Sequence, residues 1–301
     1  MTFRPENGEH GGATDGPPDE RSTAPTREPT ERRRGRPDFR PGLVPIVAGL
    51  LLLALLVGLV LLWFSYGDRA GGTSVFEDSF ETGPEPVVRL TNGPGRVSIE
   101  GVEGLENVEV SAKRYARGRN TAAAKENAAD VPVGVSSGEG SALEISSDGG
   151  GGTGVDYTLR VPPGTVVEVE SETGDVEVSG LENNATVRAE SGDISVDDVR
   201  GSIVIEAPRG DVTVESVSTE TGNAEITIGS GDLEIENLVV GILEARVESG
   251  DVALLGRFSG SGLVLVETGS INVRLPSEDT NDLTLEARVG EVVREDEQGS
   301  E

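Results

Sequence analysis

The sequence predicts an all-β fold: a β-solenoid, or β-helix, of 18- to 21-residue coils, preceded by a single transmembrane helix and a disordered N-terminal tail. Three observations support this prediction. A glycine recurs at a nearly constant interval, apolar residues hold fixed offsets from it, and one long uncharged segment precedes the array. The glycines, separated by 18, 18, 21, 19, 19 and 21 residues, are Gly174, Gly192, Gly210, Gly231, Gly250, Gly269 and Gly290. Such a period is typical of an array of small stacked units.

Each repeat places apolar residues at alternate positions on both sides of its glycine. Two residues after the glycine stand Val176, Ile194, Val212, Leu233, Val252, Ile271 and Val292, and five residues before it stand Val169, Val187, Ile205, Ile226, Ala245, Val264 and Leu285. Because mostly polar residues alternate with the apolar ones, the pattern predicts two short strands, each with one buried face, joined by a turn. One such unit cannot bury its own apolar face, so stacked units must share a continuous core.

Residues 1–41 are expected to form a disordered cytoplasmic tail. They are rich in proline, glycine, threonine, arginine and glutamate and contain almost no apolar side chains. A segment of this composition cannot bury enough apolar surface to offset the entropy lost on ordering.

Residues 42–66 predict a transmembrane helix. The 24 residues from Leu43 to Tyr66 carry no charged side chain. At ~1.5 Å per residue they span roughly 36 Å, enough to cross a hydrocarbon core of ~30 Å with some tilt. We therefore expect the lipid bilayer to be a partner through residues 43–66. A cleaved signal peptide is the alternative. However, the apolar region of a signal peptide is shorter than 24 residues, and the basic segment before it is shorter than the 40 residues found here.

The charges that flank this segment predict its orientation. Arg32, Arg33, Arg34, Arg36 and Arg40 crowd its N-terminal side. By the positive-inside rule, the N-terminus lies in the cytoplasm and the C-terminal domain is extracytoplasmic. The expected location is thus the cell membrane, with a single pass.

Residues 67–84 are predicted to be a linker, residues 85–293 a β-solenoid ectodomain, and residues 294–301 an acidic tail. The ectodomain is irregular to about residue 164 and regular over 165–293. In the irregular part, Gly95 heads an earlier, diverged coil, because Val97 and Ile99 follow it at the offsets of the later repeats. The alanine-rich segment Thr121 to Ala129 suits one short helix, and residues 131–135, 143–145 and 155–161 predict further strands.

Composition excludes several classes of function. The chain has 54 acidic and 25 basic residues, a net charge of −29, which would repel nucleic acid and attract divalent cations or basic partners. Solubility, for example in a salty medium, is the simpler and favoured interpretation of this acidity. It has no cysteine and one histidine, His10, so most metal sites and most histidine-assisted nucleophiles are ruled out. Carboxylates occur throughout without an isolated pair beside a cleft. We therefore expect no enzyme activity, no catalytic residue and no cofactor.

An aspartate follows most of the repeat glycines and forms a predicted acidic column: Asp175, Asp193, Asp211, Asp232 and Asp251. One interpretation of this column is turn chemistry: glycine supplies a positive φ, and aspartate hydrogen-bonds its own backbone within the turn. The other interpretation is weak divalent cation binding, because stacked like charges need counter-ions. The spacing of calcium-binding β-rolls is absent, so turn chemistry is favoured.

Two elements together resemble a known family. The first is residues 90–101, with Gly95-Arg96-Val97, followed by the alternating residues 108–113. The second is Val161-Pro162-Pro163-Gly164 followed by repeated Ser/Thr-Gly-Asp turns. Over about residues 76–293 the chain resembles the DUF4097 β-strand-repeat group, whose members are often labelled adhesin-like. The resemblance implies a β-helical fold and a cell-envelope setting, and it transfers no catalytic residues.

Two functions are consistent with these observations. The first is a non-enzymatic, membrane-anchored extracytoplasmic module that is adhesin-like or binds an envelope component, a glycan or a protein through the solenoid face. The alternative is an envelope-stress or signalling accessory that relays ectodomain binding to the cytoplasmic tail. A stiff envelope spacer is a third option.

The predicted topology can be tested on intact cells. If residues 42–66 stay as an uncleaved anchor, added protease should digest the chain beyond about Gly72 and spare the cytoplasmic tail, as detected with an N-terminal tag. A mature N-terminus beyond Tyr66 would show cleavage and contradict the prediction.

Overall fold

The computed structural model describes residues 70–83, 85–137, 142–219, 221–276 and 282–297, which together form the predicted all-β solenoid. The predicted tail at 1–41, the apolar segment at 43–66 and His10 lie outside these residues. Within the described ranges, no helix is both long and apolar enough to cross a bilayer.

The first eight elements precede the regular array. They are β1 (Ala70–Glu81), β2 (Val87–Pro94), β3 (Val97–Gly101), β4 (Asn107–Gly118), α1 (Thr121–Ala129), β5 (Val133–Ser137), β6 (Ala142–Ser147) and β7 (Gly154–Val161).

The regular array contains the remaining strands. They are β8 (Val166–Thr173), β9 (Val176–Leu181), β10 (Ala185–Ala189), β11 (Ile194–Val199), β12 (Ile203–Arg209), β13 (Val212–Glu215), β14 (Asn223–Ser230), β15 (Leu233–Ser249), β16 (Val252–Thr268), β17 (Ile271–Pro276), β18 (Asp282–Val289) and β19 (Val292–Glu297).

Each regular coil contributes one strand to each of two faces. The strand before the repeat glycine belongs to the leading face, and the strand after it belongs to the trailing face. Strands of one face stack in parallel and in register: on the leading face, Val187 lies beside Val169 on one side and Ile205 on the other. β15 and β16 each have 17 residues, because each runs from the trailing face of one coil into the leading face of the next.

The inward residues of the two faces meet in one apolar core. Val187, Ile205 and Ile226 on the leading face and Val196 and Val214 on the trailing face are each at most 1% exposed. The predicted offsets from the repeat glycine are therefore confirmed for the coils up to Gly269, whereas in the last coil Leu285 is only partly buried and Val292 is 42% exposed. Burying a side chain of this kind contributes about 1.5–3 kcal/mol, so the stack of coils is held mainly by this core.

The coil headed by Gly95 is confirmed, but its place in the stack differs from its place in the chain. β2 pairs in parallel with β6 on one side and with β8 on the other, while β3 pairs with β7 and with β9. The coil of β2 and β3 is therefore inserted between the coil of β6 and β7 and the first regular coil. The apolar offsets fit any neighbouring coil, so they give no information about this order.

A buried polar cluster fixes the inserted coil. Asn92 Nδ2 donates hydrogen bonds to the carbonyl oxygens of Gly95 (3.0 Å) and Val155 (3.2 Å), and Ser147 Oγ donates to Asn92 Oδ1 (2.7 Å). Asn92 is 1% exposed and Ser147 is 5% exposed. A buried polar group that loses its partner costs about 1–3 kcal/mol. These bonds therefore favour the coil of β6 and β7, rather than a fully apolar coil, as the neighbour of the coil of β2 and β3.

Antiparallel strands and a helix cover the N-terminal end of the stack. β5 pairs with β6, β4 pairs with β7, and β1 pairs with β4. Helix α1 has the predicted bounds, Asn120 Oδ1 caps it by accepting the Ala123 N–H (2.8 Å), and Ala124 and Ala128 are buried. The strands β6 and β7 thus have partners on both sides.

Two segments differ from their predicted boundaries. β1 lies inside the predicted linker 67–84. Its two phenylalanines, Phe76 and Phe80, are only partly buried. Its strand conformation therefore depends on pairing with the distant β4 rather than on an alternation of apolar and polar residues within β1. β19 extends into the predicted acidic tail, because its pairing with β17 continues as far as Glu297.

Candidate binding surface

The repeat glycines make the turn from the leading to the trailing face. Their φ angles lie between +133° and +150°. A Cβ atom on Gly210 would lie 2.0 Å from the carbonyl oxygen of Gly192 in the preceding coil. Glycine is therefore required both for its backbone conformation and for the close approach of successive turns. The turns stack directly on one another as a result.

The aspartates after these glycines form a hydrogen-bonded ladder. Each carboxylate accepts the main-chain N–H of the equivalent residue in the next coil: Asp193 Oδ1 from Asp211 (3.0 Å), Asp211 Oδ1 from Asp232 (2.9 Å), Asp232 Oδ1 from Asp251 (2.8 Å) and Asp251 Oδ1 from Ser270 (2.7 Å). The contact from Asp193 to Asp175 is longer, at 3.4 Å. The prediction that each aspartate bonds within its own turn is wrong, because these bonds join successive coils.

The ladder holds its carboxylates at the spacing of the strands, ~4.8 Å. Like charges at this distance repel, but each hydrogen bond of a charged acceptor offsets part of that repulsion. The result is a row of exposed carboxylates whose positions are set by the backbone.

A cation ends the column on the N-terminal side. Arg96 follows Gly95, at the position where the regular coils have aspartate. Its side-chain Nη2 lies 3.1 Å from Asp175 Oδ2. Its main-chain N–H donates a hydrogen bond to Asp156 Oδ1 (3.2 Å). The arginine side chain is 66% exposed, so the ion pair contributes at most about 1 kcal/mol. The sequence signal for it was an arginine directly after Gly95, where most of the later repeat glycines precede aspartate.

The leading face carries paired charges. Its pairs are Arg89–Glu168 (2.8 Å), Arg188–Glu206 (2.9 Å), Arg188–Glu170 (3.9 Å), Arg246–Glu244 and Arg288–Glu267 (2.8 Å). A hydrogen bond to Glu206, with its negative charge, raises the pKa of Arg188. The arginines of this face are thus placed next to its glutamates.

The first six residues of each trailing segment carry acids without bases over five successive coils, whereas Arg200 and Arg257 lie further along the same coils. We define the acidic face as residues 174–179, 192–197, 210–215, 231–236 and 250–255, which include no lysine or arginine. Its ten exposed acids are Asp175, Glu177, Asp193, Asp197, Asp211, Glu215, Asp232, Glu234, Glu236 and Asp251. Arg96 and Arg274 lie in the coils on either side of it. Sequence reasoning located the aspartates but missed this division of charge between the two faces.

An open groove of 530 Å³ crosses the C-terminal part of the acidic face. Asp211, Asp232 and Asp251 line one side of it, with Glu234 and Asn272 further along the strands. Among the described residues, no group of three or more acidic or histidine side chains is placed to hold a metal ion. The groove is therefore lined both by carboxylates and by apolar strand residues such as Val252 and Ile271.

Comparison with known proteins identifies the repeat. The model of the Toastrack DUF4097 family matches residues 97–299. None of the curated proteins compared with the chain matches it.

Three solved structures are similar. A putative adhesin from Bacteroides fragilis is 16% identical, with a TM-score of 0.43 over 74% of this chain and 97% of its own. A putative cell adhesion protein from Clostridium sporogenes is 10% identical, with a TM-score of 0.30 over 73% of this chain and 99% of its own. A putative adhesin from Parabacteroides merdae is 10% identical, with a TM-score of 0.28 over 74% of this chain and 96% of its own.

The ladder predicts that an acceptor oxygen, rather than a charge, is needed at Asp211. Asp211→Ala removes the acceptor of the Asp232 N–H and should lower the free energy of unfolding by about 0.5–1.5 kcal/mol. Asp211→Asn keeps an acceptor oxygen and removes one repelling charge, so it should be at least as stable as the unsubstituted chain. Urea unfolding followed by circular dichroism measures both. Equal losses for the two variants would contradict the ladder.

Proposed function

The chain belongs to the Toastrack DUF4097 family, and we propose that it is a non-enzymatic, adhesin-like surface module that binds basic partners through the acidic face. The observation that carries the proposal is the division of charge between the two faces. Acidity needed only for solubility could be spread over the whole surface. Here arginines of the leading face pair with five of its glutamates, while the acidic face as defined has no basic residue over five coils.

The spacing of the carboxylates supports an extended partner. Five coils at ~4.8 Å place the column along roughly 19 Å. Each exposed carboxylate contributes little to binding alone, about 0.2–1 kcal/mol per ion pair. Several contacts along one ligand can add, and the local negative potential accelerates encounter with a cationic partner. Because the ladder already fixes the carboxylates, little ordering is needed when the partner binds.

The same regularity supports a non-enzymatic role. A general acid and a general base differ in environment, so that one stays protonated when the other is ionised. The aspartates of the ladder instead repeat one environment from coil to coil, each accepting an N–H from the next coil. Such an array suits repeated equivalent contacts.

In the proposed location, residues 43–66 anchor the chain in the cell membrane by a single pass, with the N-terminus in the cytoplasm and the solenoid outside. The uncharged length of this segment and the arginines before it support that location. An extracytoplasmic solenoid would present the acidic face to an envelope, glycan or protein partner that carries amines or guanidinium groups.

A short lysine peptide tests the proposed surface. A fluorescent peptide of about six lysines extends to roughly 20 Å and matches the length of the column. We expect it to bind the full-length chain in low salt. The combined variant Asp193→Asn, Asp211→Asn and Asp232→Asn keeps the acceptor oxygens and should weaken binding by roughly 3- to 100-fold, as measured by fluorescence anisotropy.

A matched variant controls for net charge. Glu225→Gln, Glu248→Gln and Glu286→Gln remove the same number of charges from exposed positions of the leading face, and this variant should bind nearly as well as the unsubstituted chain. Equal weakening in both variants would show that only net charge matters and would contradict the proposed face.

Calcium chloride should displace the peptide more than sodium chloride of matched ionic strength if the column from Asp175 to Asp251 also binds divalent cations weakly.

A further inference from the structure

A second groove, which we call the N-terminal groove, lies beside the acidic face. Its volume is 760 Å³, against 530 Å³ for the groove that crosses the acidic face. Strands β1, β4, β7 and β3 form its floor, since β1 pairs with β4, β4 with β7, and β7 with β3. Asp175, the first aspartate of the acidic face, borders it on one side. Its outward side chains therefore come from segments that are distant in the sequence.

Charges of opposite sign alternate along the middle of the N-terminal groove. Strand pairing places Lys113 beside Asp156. Arg96 follows, with its main-chain N–H on Asp156 and its guanidinium 3.1 Å from Asp175. Hydrogen-bond donors and acceptors thus alternate at the spacing of the strands, ~4.8 Å. With Glu77, the groove is lined by three carboxylates and two cations, whereas the acidic face has acids alone.

A row of hydroxyl groups runs next to these charges. Ser111 pairs with Thr158, and Thr158 pairs with Ser98, so three hydroxyl side chains lie on neighbouring strands. All three line the groove; Thr158 is exposed and the two serines are partly exposed. A hydroxyl group both donates and accepts hydrogen bonds. The row therefore provides polar contacts of both kinds without adding charge.

An aromatic ring lies on the other side of the charges. A Cβ atom on Gly154 would lie 2.4 Å from the Tyr115 hydroxyl oxygen, so this ring extends across β7 at a position without a side chain. Burial and the nearby Asp156 carboxylate raise the pKa of Tyr115, which therefore remains a hydrogen-bond donor. Val75, which is 55% exposed, lies beside Lys113 on β1. Tyr115 and Val75 thus give the groove an apolar surface next to its polar groups.

These features together match the chemistry of a neutral sugar chain. A sugar ring packs its C–H groups against an aromatic or aliphatic side chain, while each of its hydroxyls donates and accepts hydrogen bonds. Alternating carboxylates and cations satisfy both roles of such hydroxyls. A ligand with charges of one sign would instead meet a like charge on every second strand. A peptide of alternating charge would match the charges but would leave the row of hydroxyls unused.

We propose that the N-terminal groove binds a neutral oligosaccharide, with Tyr115 against a sugar ring and Asp156, Ser98 and Thr158 bonded to its hydroxyls. From β1 to Asp175 the groove spans roughly 19 Å, which is long enough for several rings. This site adjoins the acidic face, but it does not depend on the proposed binding of basic partners there.

An array of immobilised oligosaccharides tests the ligand class with the fluorescently labelled full-length chain. The neutral probes are maltohexaose, cellohexaose and N-acetylchitohexaose; the chitosan hexamer is cationic and hexagalacturonate is anionic. The detergent has no sugar headgroup, and salt of about 0.5 M screens attraction of the cationic probe to the acidic face. We expect at least one neutral hexamer to retain the chain, with an affinity that changes little between low and high salt.

Matched substitutions locate the site by isothermal titration with that hexamer. Ser98→Ala with Thr158→Val removes two hydroxyls from the groove and should weaken binding by roughly 5- to 100-fold. Ser195→Ala with Thr213→Val removes two hydroxyls from the same outward row on the acidic face, and this control should bind as tightly as the unsubstituted chain. Tyr115→Ala should weaken binding by roughly 3- to 10-fold, whereas Tyr115→Phe keeps the ring and most of the affinity.

Four results would overturn the proposal. The first is that no neutral hexamer binds. The second is that both pairs of substitutions weaken binding equally. The third is retention of the chitosan hexamer alone, abolished by 0.5 M salt, which would assign sugar binding to the acidic face. The fourth is tighter binding of an alternating lysine–glutamate peptide than of any neutral hexamer.

The two surfaces are tested separately. The Ser98→Ala, Thr158→Val chain should still bind the lysine peptide, and the Asp193→Asn, Asp211→Asn, Asp232→Asn chain should still bind the neutral hexamer. Failure of one surface is therefore distinguishable from failure of the other.

Discussion

The fold depends on the close approach of successive turns at the repeat glycines. At each turn the backbone of one coil comes so near the next that a side chain at Gly210 would collide with the Gly192 carbonyl oxygen. A strand that slipped by one residue would turn its apolar side chains outward and would place a side chain in this narrow contact. Close approach and core burial therefore select the same register.

That register determines the surface as well as the core. Because equivalent positions of successive coils lie side by side, any residue type repeated in the sequence becomes a row in space. Aspartate after the glycine becomes the hydrogen-bonded ladder, and outward arginine and glutamate of the leading strands become ion pairs such as Arg188–Glu206. A one-dimensional pattern of charge is thus converted into a face that carries arginine–glutamate pairs and a face that carries a row of acids.

Sequence reasoning predicted the features that depend on local pattern. The inward residues of the regular coils, the diverged coil at Gly95 and helix α1 were all placed correctly. It missed features that depend on pairing between distant segments. The insertion of β2 and β3 beside β6 and β7 depends on a few buried polar atoms around Asn92, and β1 is a strand only because β4 lies next to it. The partner of the aspartate carboxylates was also missed, because turn chemistry and inter-coil bonding require the same Gly-Asp pair.

The stability of Gly210→Ala tests the central role of the turn most directly. Its φ of +137° and the contact with Gly192 leave no room for a methyl group. We expect this variant to lose at least about 2 kcal/mol of unfolding free energy. Gly150→Ala, at a glycine with open space around it, should change that free energy by less than ~0.5 kcal/mol. If both variants unfold at the same denaturant concentration as the unsubstituted chain, the turn does not set the register, and the account of the fold and its acidic face is contradicted.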